Sequence, residues 1–102
     1  MEEFRYARDE IIFHEGDESR VAYYIAEGAV EIRIGPDVSP QVLAVLKPGE
    51  ILGEMALVAD HPRTATAVAC EEGTRLVVVS ERFFEEQIVG DVKQVRALLG
   101  TL

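Results

Sequence analysis

Short apolar runs, many of them rich in β-branched residues, follow one another along most of the chain and are separated by glycine or proline. In the clearest run, Val30, Ile32 and Ile34 alternate with Glu31 and Arg33. This period of two predicts a half-buried strand with one face toward water. Other runs of strand length lie at residues 11–13, 21–27, 42–46, 63–69 and 76–79. Their spacing of roughly 8–12 residues favours an antiparallel roll or barrel over βαβ units.

The pattern changes at Ser80, which is a suitable N-cap for the segment that follows it. Phe84 and Ile88 have helical spacing there, and Gly90 is expected to end this first helix. A second short helix is expected to begin at Asp91.

The fold class predicted from these patterns is mainly β with C-terminal helices. We expect an antiparallel β-roll, of the double-stranded β-helix or jelly-roll-like kind, over about residues 5–79. Two short helices over about residues 81–101 complete one domain that covers residues 1–102.

The segment Pro48–Ala69 interrupts the strand pattern and carries the candidate chemistry. Gly53 and Glu54 begin a short apolar helical turn, Pro62 stops it, and Arg63 follows at once. The N–H groups at a helix start are unpaired and carry partial positive charge, and arginine can donate to two oxygens of one anion. The segment therefore predicts a phosphate site.

Composition limits the classes of function. A chain of 102 residues that is 48% hydrophobic is long enough for one core, and its charged N-terminus is unlike a signal peptide. One cysteine excludes a disulfide framework and favours a reducing, cytoplasmic compartment. The net charge of −9 argues against binding to nucleic acid or an anionic membrane. Any affinity for an anion must come from short-range contacts.

Taken together, these motifs resemble the cyclic nucleotide-binding domain family over nearly the whole chain. Residues 12–32 are similar to the first strands of the family with their two spaced glycines, Gly16 and Gly28. Residues 53–57, GEMAL, and 62–66, PRTAT, are similar to the family's phosphate-binding cassette. The combination is specific, whereas either short motif alone would be weak.

The resemblance implies a phosphate-binding role for four residues. The backbone N–H groups of Met55 and Ala56 are expected to point at the cyclic phosphate. Arg63 is expected to pair with its oxygens, and Thr64 to add contacts through its hydroxyl and N–H. Without the cassette around it, Arg63 would be interpreted as a solvated arginine or as the salt-bridge partner of Asp60.

The resemblance also implies how the rest of the nucleotide is held. Gly53 is expected to let the backbone approach the ligand, and Glu54 to accept from the ribose 2′-OH. Ile32 and Leu43, which the pattern places facing inward, are expected to form the wall of the base pocket. Without that context, Glu54 would be an exposed carboxylate at a helix N-terminus.

The resulting prediction is a non-catalytic sensor module without a cofactor, whose ligand is cAMP or cGMP. The resemblance favours cAMP, while Thr64 leaves cGMP open. The alternative is a degenerate domain of the same fold that acts in protein interaction or dimerisation. A cupin-type enzyme would need several metal-ligating histidines, and His14 and His61 are the only histidines.

The resemblance leaves the partners of the module open. No helix-turn-helix segment follows the roll, so no nucleic-acid partner is expected. A partner protein, a second copy of the chain or a fused effector domain could each contact the C-terminal helix. We expect that helix to end at Leu102, short of the position where the resemblance implies a base-capping residue.

Overall fold

The computed structural model describes residues 2–54, 57, 61–80 and 82, and these residues form a mainly β architecture. The strands of this part of the chain are β1 (Glu3–Tyr6), β2 (Ile11–Phe13), β3 (Val21–Glu27), β4 (Val30–Ile34), β5 (Gln41–Leu46), β6 (Ile51–Leu52), β7 (Thr66–Ala69) and β8 (Thr74–Ser80). The predicted C-terminal helices lie outside the described residues, except that Arg82 has helical backbone.

The strands pair into two four-stranded sheets. The first has the order β1-β8-β3-β6 and the second the order β2-β7-β4-β5, so chain neighbours are often not sheet neighbours. Every pairing is antiparallel. The predicted antiparallel β fold is therefore confirmed for the described part of the chain.

The main core lies between the inner faces of the two sheets, where apolar side chains from both meet. Its fully buried members are Ile25, Val30, Leu52, Ala67 and Leu76. All four residues of β7 are buried, which explains why that strand consists of small and β-branched residues.

A second, smaller cluster packs on the opposite face of the first sheet. Ala22 of β3 pairs with Val79 of β8. Each lies three residues from a member of the main core in its own strand, Ile25 in β3 and Leu76 in β8. Because side chains alternate between faces, this pair points away from the main core. Leu57 covers it, with a relative exposure of 8%. Leu57 is thus held on the outer face of the sheet near the end of β8.

The turn between β3 and β4 requires glycine at position 28. Gly28 has a φ of 85°, and a Cβ there would collide with backbone and side-chain atoms of Thr74. Thr74 is fully buried, and its hydroxyl donates to the Glu71 carbonyl at 2.7 Å. One of the two spaced glycines of the sequence motif therefore has a steric role.

Strand β5 differs from the sequence prediction. Leu43 was expected to face inward, but it is 53% exposed, so that expectation is wrong. The physical reason is alternation: Leu46 packs against the main core, and Leu43, three residues before it, lies on the opposite face. The residues of β5 before Leu46 are all exposed, and a bulge at Leu43 lies between the pairs Ile32–Ala44 and Arg33–Val42. β5 also lies at the edge of its sheet.

Candidate functional site

A cavity of about 410 Å³ opens beside the cassette segment, between the main core and the loop that precedes β7. Among the described residues it is lined by Phe13, Ile32, Leu46, Ile51, Leu52, Gly53, Glu54, His61, Pro62, Arg63, Thr64 and Ala65. One wall is apolar and comes from the strands. The other is polar and comes from residues 53–54 and 61–65, so the cavity can accept a ligand with one charged and one apolar end.

The backbone of Arg63 is fixed to the loop between β2 and β3. Its N–H donates to the Asp17 carbonyl, and its own carbonyl accepts from the Gly16 N–H, both at 2.7 Å. These bonds place the start of the β7 segment against residues that lie about 46 positions earlier. The side chain of Arg63 is directed into the protein as a result, with a relative exposure of 6%.

Protein groups surround the guanidinium of Arg63 on several sides. Nη2 donates to the Ser19 Oγ at 2.9 Å and to the Val21 carbonyl at 2.7 Å. Nη1 donates to the Gly53 carbonyl at 3.2 Å. The guanidinium carbon lies 4.2 Å from the centre of the Phe13 ring, within the range of a cation–π contact.

Among the described residues, no carboxylate lies within salt-bridge distance of this buried guanidinium. Asp60, the alternative salt-bridge partner considered from the sequence, lies outside the described residues. The Asp17 carboxylate, which lies in the neighbouring loop, accepts instead from the His14 N–H. Within the described chain Nε of Arg63 has no hydrogen-bond partner. Burial lowers the pKa of Arg63, because water no longer stabilises the charged form. Such a group gains free energy from an anion at the cavity.

Gly53 and Glu54 form the edge of the cavity next to Arg63. Gly53 has a φ of 77°, and a Cβ at this position would collide with Nη1 of Arg63. Glycine is therefore required here both by backbone conformation and by the close approach of the guanidinium. Glu54 is exposed and lines the cavity, and its carbonyl accepts from the Leu57 N–H at 3.0 Å.

Comparison with known proteins assigns the chain to a family. The family model described as "Cyclic nucleotide-binding domain" matches residues 3–91. The chain belongs to the cyclic nucleotide-binding domain family. The family suggested by the cassette residues is thus confirmed.

Two curated relatives illustrate the range of proteins with such a domain. The chain is 35% identical over 79 residues to the cyclic AMP receptor protein of Thermus thermophilus, covering 76% of this chain and 37% of the relative. It is 31% identical over 97 residues to human cGMP-dependent protein kinase 2, covering 92% of this chain and 12% of the kinase. The chain thus spans about a third or less of the length of these relatives.

Solved structures of the EAL enzyme Bd1971 are also similar to this cyclic nucleotide-binding domain. In the cAMP-bound form the TM-score is 0.79, and in the cGMP-bound form it is 0.81. Both are 35% identical and cover 98% of this chain and 27% of the other.

The structure brings five of the eight predicted site residues to one cavity. They are Ile32, Gly53, Glu54, Arg63 and Thr64. Met55 and Ala56 lie outside the described residues. Leu43 is not among the residues that line the cavity, which agrees with its exposed position on the outer face of β5. The roles of these residues toward a nucleotide stay predictions. The interpretation of Arg63 as a solvated arginine is wrong, since the side chain is buried.

Sequence reasoning missed two side chains that contact Arg63, namely Ser19 and Phe13. Phe13 was assigned to a strand, and its alternation with Ile12 left open which side faced the core. Ser19 lies in a turn-forming stretch, and nothing in the sequence around it indicated a contact with Arg63. Both are more than 40 residues from Arg63 in sequence, so only the fold brings them together.

Two further classes of site receive no support from the described residues. No group of three or more His, Cys, Asp or Glu side chains in this part of the chain could hold a metal ion. Nor does this part contain a helix that is long and apolar enough to cross a membrane.

Proposed function

We propose that this chain is a non-catalytic regulatory module that binds a cyclic mononucleotide in the cavity beside Arg63. The observation that carries the proposal is the buried guanidinium of Arg63, which has no salt bridge to any carboxylate in the described part of the chain. An isolated buried charge is costly, whereas a charge paired with an anion through hydrogen bonds is tolerated. The cyclic phosphate, a monoanion with two free oxygens, supplies such a partner. A charge-assisted hydrogen bond nets about 1.5–3 kcal/mol.

The size and polarity of the cavity agree with a nucleotide. Its volume of about 410 Å³ falls in the usual range for small-molecule sites. Ile32 and Leu46 on the apolar side would pack against the base. Glu54, at the polar edge near Gly53, would accept from the ribose 2′-OH. With the phosphate at Arg63, these positions match the three parts of a cyclic nucleotide.

We propose cAMP as the preferred ligand, with cGMP as a second ligand. The EAL enzyme Bd1971, which is 35% identical, has been solved with each of these nucleotides. Thr64 lines the cavity and is exposed, so its hydroxyl is available to a guanine amino group as well as to the phosphate. The domain therefore has a polar group suited to guanine but not restricted to it.

We further propose that the bound state is transmitted through Leu57. This residue follows the Gly53–Glu54 edge of the cavity and packs on Ala22 and Val79. Val79 lies near the end of β8, where the chain continues toward residues 81–102. In this proposal residues 1–102 form one cytoplasmic domain, and two helices after β8 carry the response to an effector.

Titration calorimetry of the wild-type chain with cAMP and cGMP tests the proposal. We expect saturable binding of both nucleotides, tighter for cAMP, and a loss of about 10- to 150-fold in Arg63→Ala. Arg5→Ala is the matched control, because Arg5 is a surface arginine with a salt bridge to Glu27. It is expected to bind like wild type. Binding of neither nucleotide by the wild-type chain would support the degenerate interaction module instead.

A further inference from the structure

Among the described residues, the acceptors that orient the side chain of Arg63 are all electrically neutral. In the described part of the chain, three of its N–H groups donate to two backbone carbonyls, of Val21 and Gly53, and to the Ser19 hydroxyl. The fourth contact is with the face of the Phe13 ring. These contacts orient the guanidinium without a carboxylate of the described residues bound to it.

Among these three acceptors, the Ser19 Oγ is the only one that belongs to a side chain. The two carbonyls are present whatever residue occupies their positions. Ser19 is half-buried and does not line the cavity among the described residues. It therefore contacts Arg63 from a side other than the one that a cavity ligand would use.

The Ser19 hydroxyl is itself fixed by its neighbour in sequence. Its Oγ accepts from the Val21 N–H at 3.3 Å in addition to the bond from Nη2 of Arg63 at 2.9 Å. A hydroxyl oxygen has two acceptor sites, so both are in use. The Val21 carbonyl accepts the second Nη2 proton, so Ser19 and Val21 both accept hydrogen bonds from the same nitrogen.

We propose that Ser19 is a positioning residue of the nucleotide site, which acts on the ligand only through Arg63. Its bond to Nη2 fixes the plane of the guanidinium, so that the remaining N–H groups on Nε and Nη1 keep constant directions. Because the support is a hydroxyl and not a carboxylate, the full positive charge stays available to the phosphate. This inference rests on the proposed function of the cavity.

Removal of the hydroxyl has a predictable effect. In Ser19→Ala one Nη2 proton loses its acceptor in a buried environment, and the guanidinium gains freedom to rotate. A hydrogen bond to a charged group is worth about as much as a tenfold change in an equilibrium constant. We expect cAMP affinity to fall about tenfold in Ser19→Ala and to return within about twofold of wild type in Ser19→Thr, which restores the hydroxyl.

The experiment is calorimetric titration of wild type, Ser19→Ala and Ser19→Thr with cAMP. Ser39→Ala serves as matched control, since Ser39 is an exposed serine in the turn before β5. NMR of arginine side chains labelled with ¹⁵N supplies a second readout. Separate proton signals for Nη2 of Arg63 are expected in wild type, and averaged signals in Ser19→Ala, where rotation about Cζ–Nη2 is less hindered.

The outcomes separate this inference from the proposed function. If the wild type binds cAMP and Ser19→Ala binds it with the same affinity, the role of Ser19 is overturned and the proposed function stays intact. Equal loss in Ser19→Thr and Ser19→Ala, with the Nη2 signals unaltered, overturns it as well. Absence of cAMP binding in the wild type overturns both. Loss in Ser19→Ala with recovery in Ser19→Thr supports the inference.

Discussion

At the scale of single residues, the cavity depends on a close fit between Gly53 and Arg63. The Gly53 carbonyl accepts from Nη1, and the same glycine leaves the space that the guanidinium fills. Its φ of 77° belongs to a region that side-chain-bearing residues rarely adopt. The backbone conformation and the close approach of the guanidinium therefore both favour glycine at position 53.

The first prediction concerns Gly53→Ala. A methyl group there would displace the guanidinium, so we expect cAMP affinity to fall by more than about tenfold. Backbone strain should lower the free energy of unfolding by about 1–3 kcal/mol. Calorimetric titration and urea unfolding measure the two effects.

Gly49→Ala is the matched control for this change. Gly49 also has a positive φ, of 95°, but a Cβ there would meet nothing within 4 Å. It should show a loss of stability from strain and little change in affinity. If both variants bound cAMP equally well, the contact between position 53 and Arg63 would be irrelevant to binding.

The second prediction concerns alkaline pH and Tyr6. Burial raises the pKa of Tyr6, and the nearby Tyr23 and Glu10 raise it further. Folding then favours the protonated phenol over its state in the unfolded chain, where the pKa is about 10. The stability that Tyr6 contributes is full below about pH 10 and is lost as pH rises through the higher folded-state pKa.

Urea unfolding between about pH 8 and pH 11 measures this loss. Tyr6→Phe removes the titrating group and should flatten the decline. Tyr24→Phe, at a position that is 41% exposed, is the control and should leave the decline as in wild type. An identical decline in wild type and Tyr6→Phe would contradict the prediction.

At the scale of elements, the cassette segment is fixed at two points. Arg63 anchors its end to the loop between β2 and β3, and Leu57 anchors its middle to the outer face of the first sheet. The helix that the sequence predicts from Glu54 to about Ala59 is far shorter than an isolated stable helix requires. We therefore expect it to depend on the contacts of Leu57 and Arg63.

The third prediction is that Leu57→Ala weakens this attachment. Loss of a buried leucine side chain costs about 2–5 kcal/mol, and the small size of this cluster places the expected loss near the lower limit. Urea unfolding gives the change in stability. Leu43→Ala is the control, because Leu43 is 53% exposed and its truncation should cost less than about 0.5 kcal/mol. Equal losses in both variants would exclude Leu57 as an anchor.

Much of the strand pattern could be predicted from sequence, for reasons visible in particular elements. β3 occupies the predicted interval Val21–Glu27, because an apolar run between turn residues has few alternatives. β1 and β6 were not predicted: the first is mostly exposed, and the second has two residues. Neither strand shows the alternation of buried and exposed side chains from which a strand is predicted.

The candidate site was predictable only where neighbours in sequence define it. The cassette motif indicated Gly53, Glu54 and Arg63, and the structure places all three at one cavity. The orientation of Leu43 was wrong because the unbroken apolar run of residues 42–46 does not show which side of the strand faces the core. Ser19 was missed because its contact with Arg63 depends on the pairing of distant strands.

At the scale of the whole molecule, the net charge of −9 opposes the approach of any anion. Arg63 is already counted in that net charge, so its attraction outweighs the repulsion only when the anion reaches the cavity. Long-range repulsion is screened by salt more strongly than a contact inside a cavity. The rate of association and the strength of the final contact should therefore respond differently to ionic strength.

The fourth prediction is that the association rate constant for cAMP rises with salt, by about two- to threefold between 0.02 and 0.2 M on the order-of-magnitude screening argument. Stopped-flow measurement of association checks it. Charge removal at exposed positions, as in the double variant Asp37→Asn/Glu50→Gln, should weaken the dependence. A rate constant that falls steeply with salt would show that a positive local field governs approach.

The two backbone hydrogen bonds between Arg63 and residues 16–17 have a consequence for the time order of folding. They join parts of the chain about 46 residues apart, and such distant closures are the slow events of β-protein folding. The guanidinium reaches its enclosed position only after that closure. A nucleotide that needs Arg63 in place cannot assist the early steps, so it would lengthen the lifetime of the folded chain and leave its refolding rate unaltered.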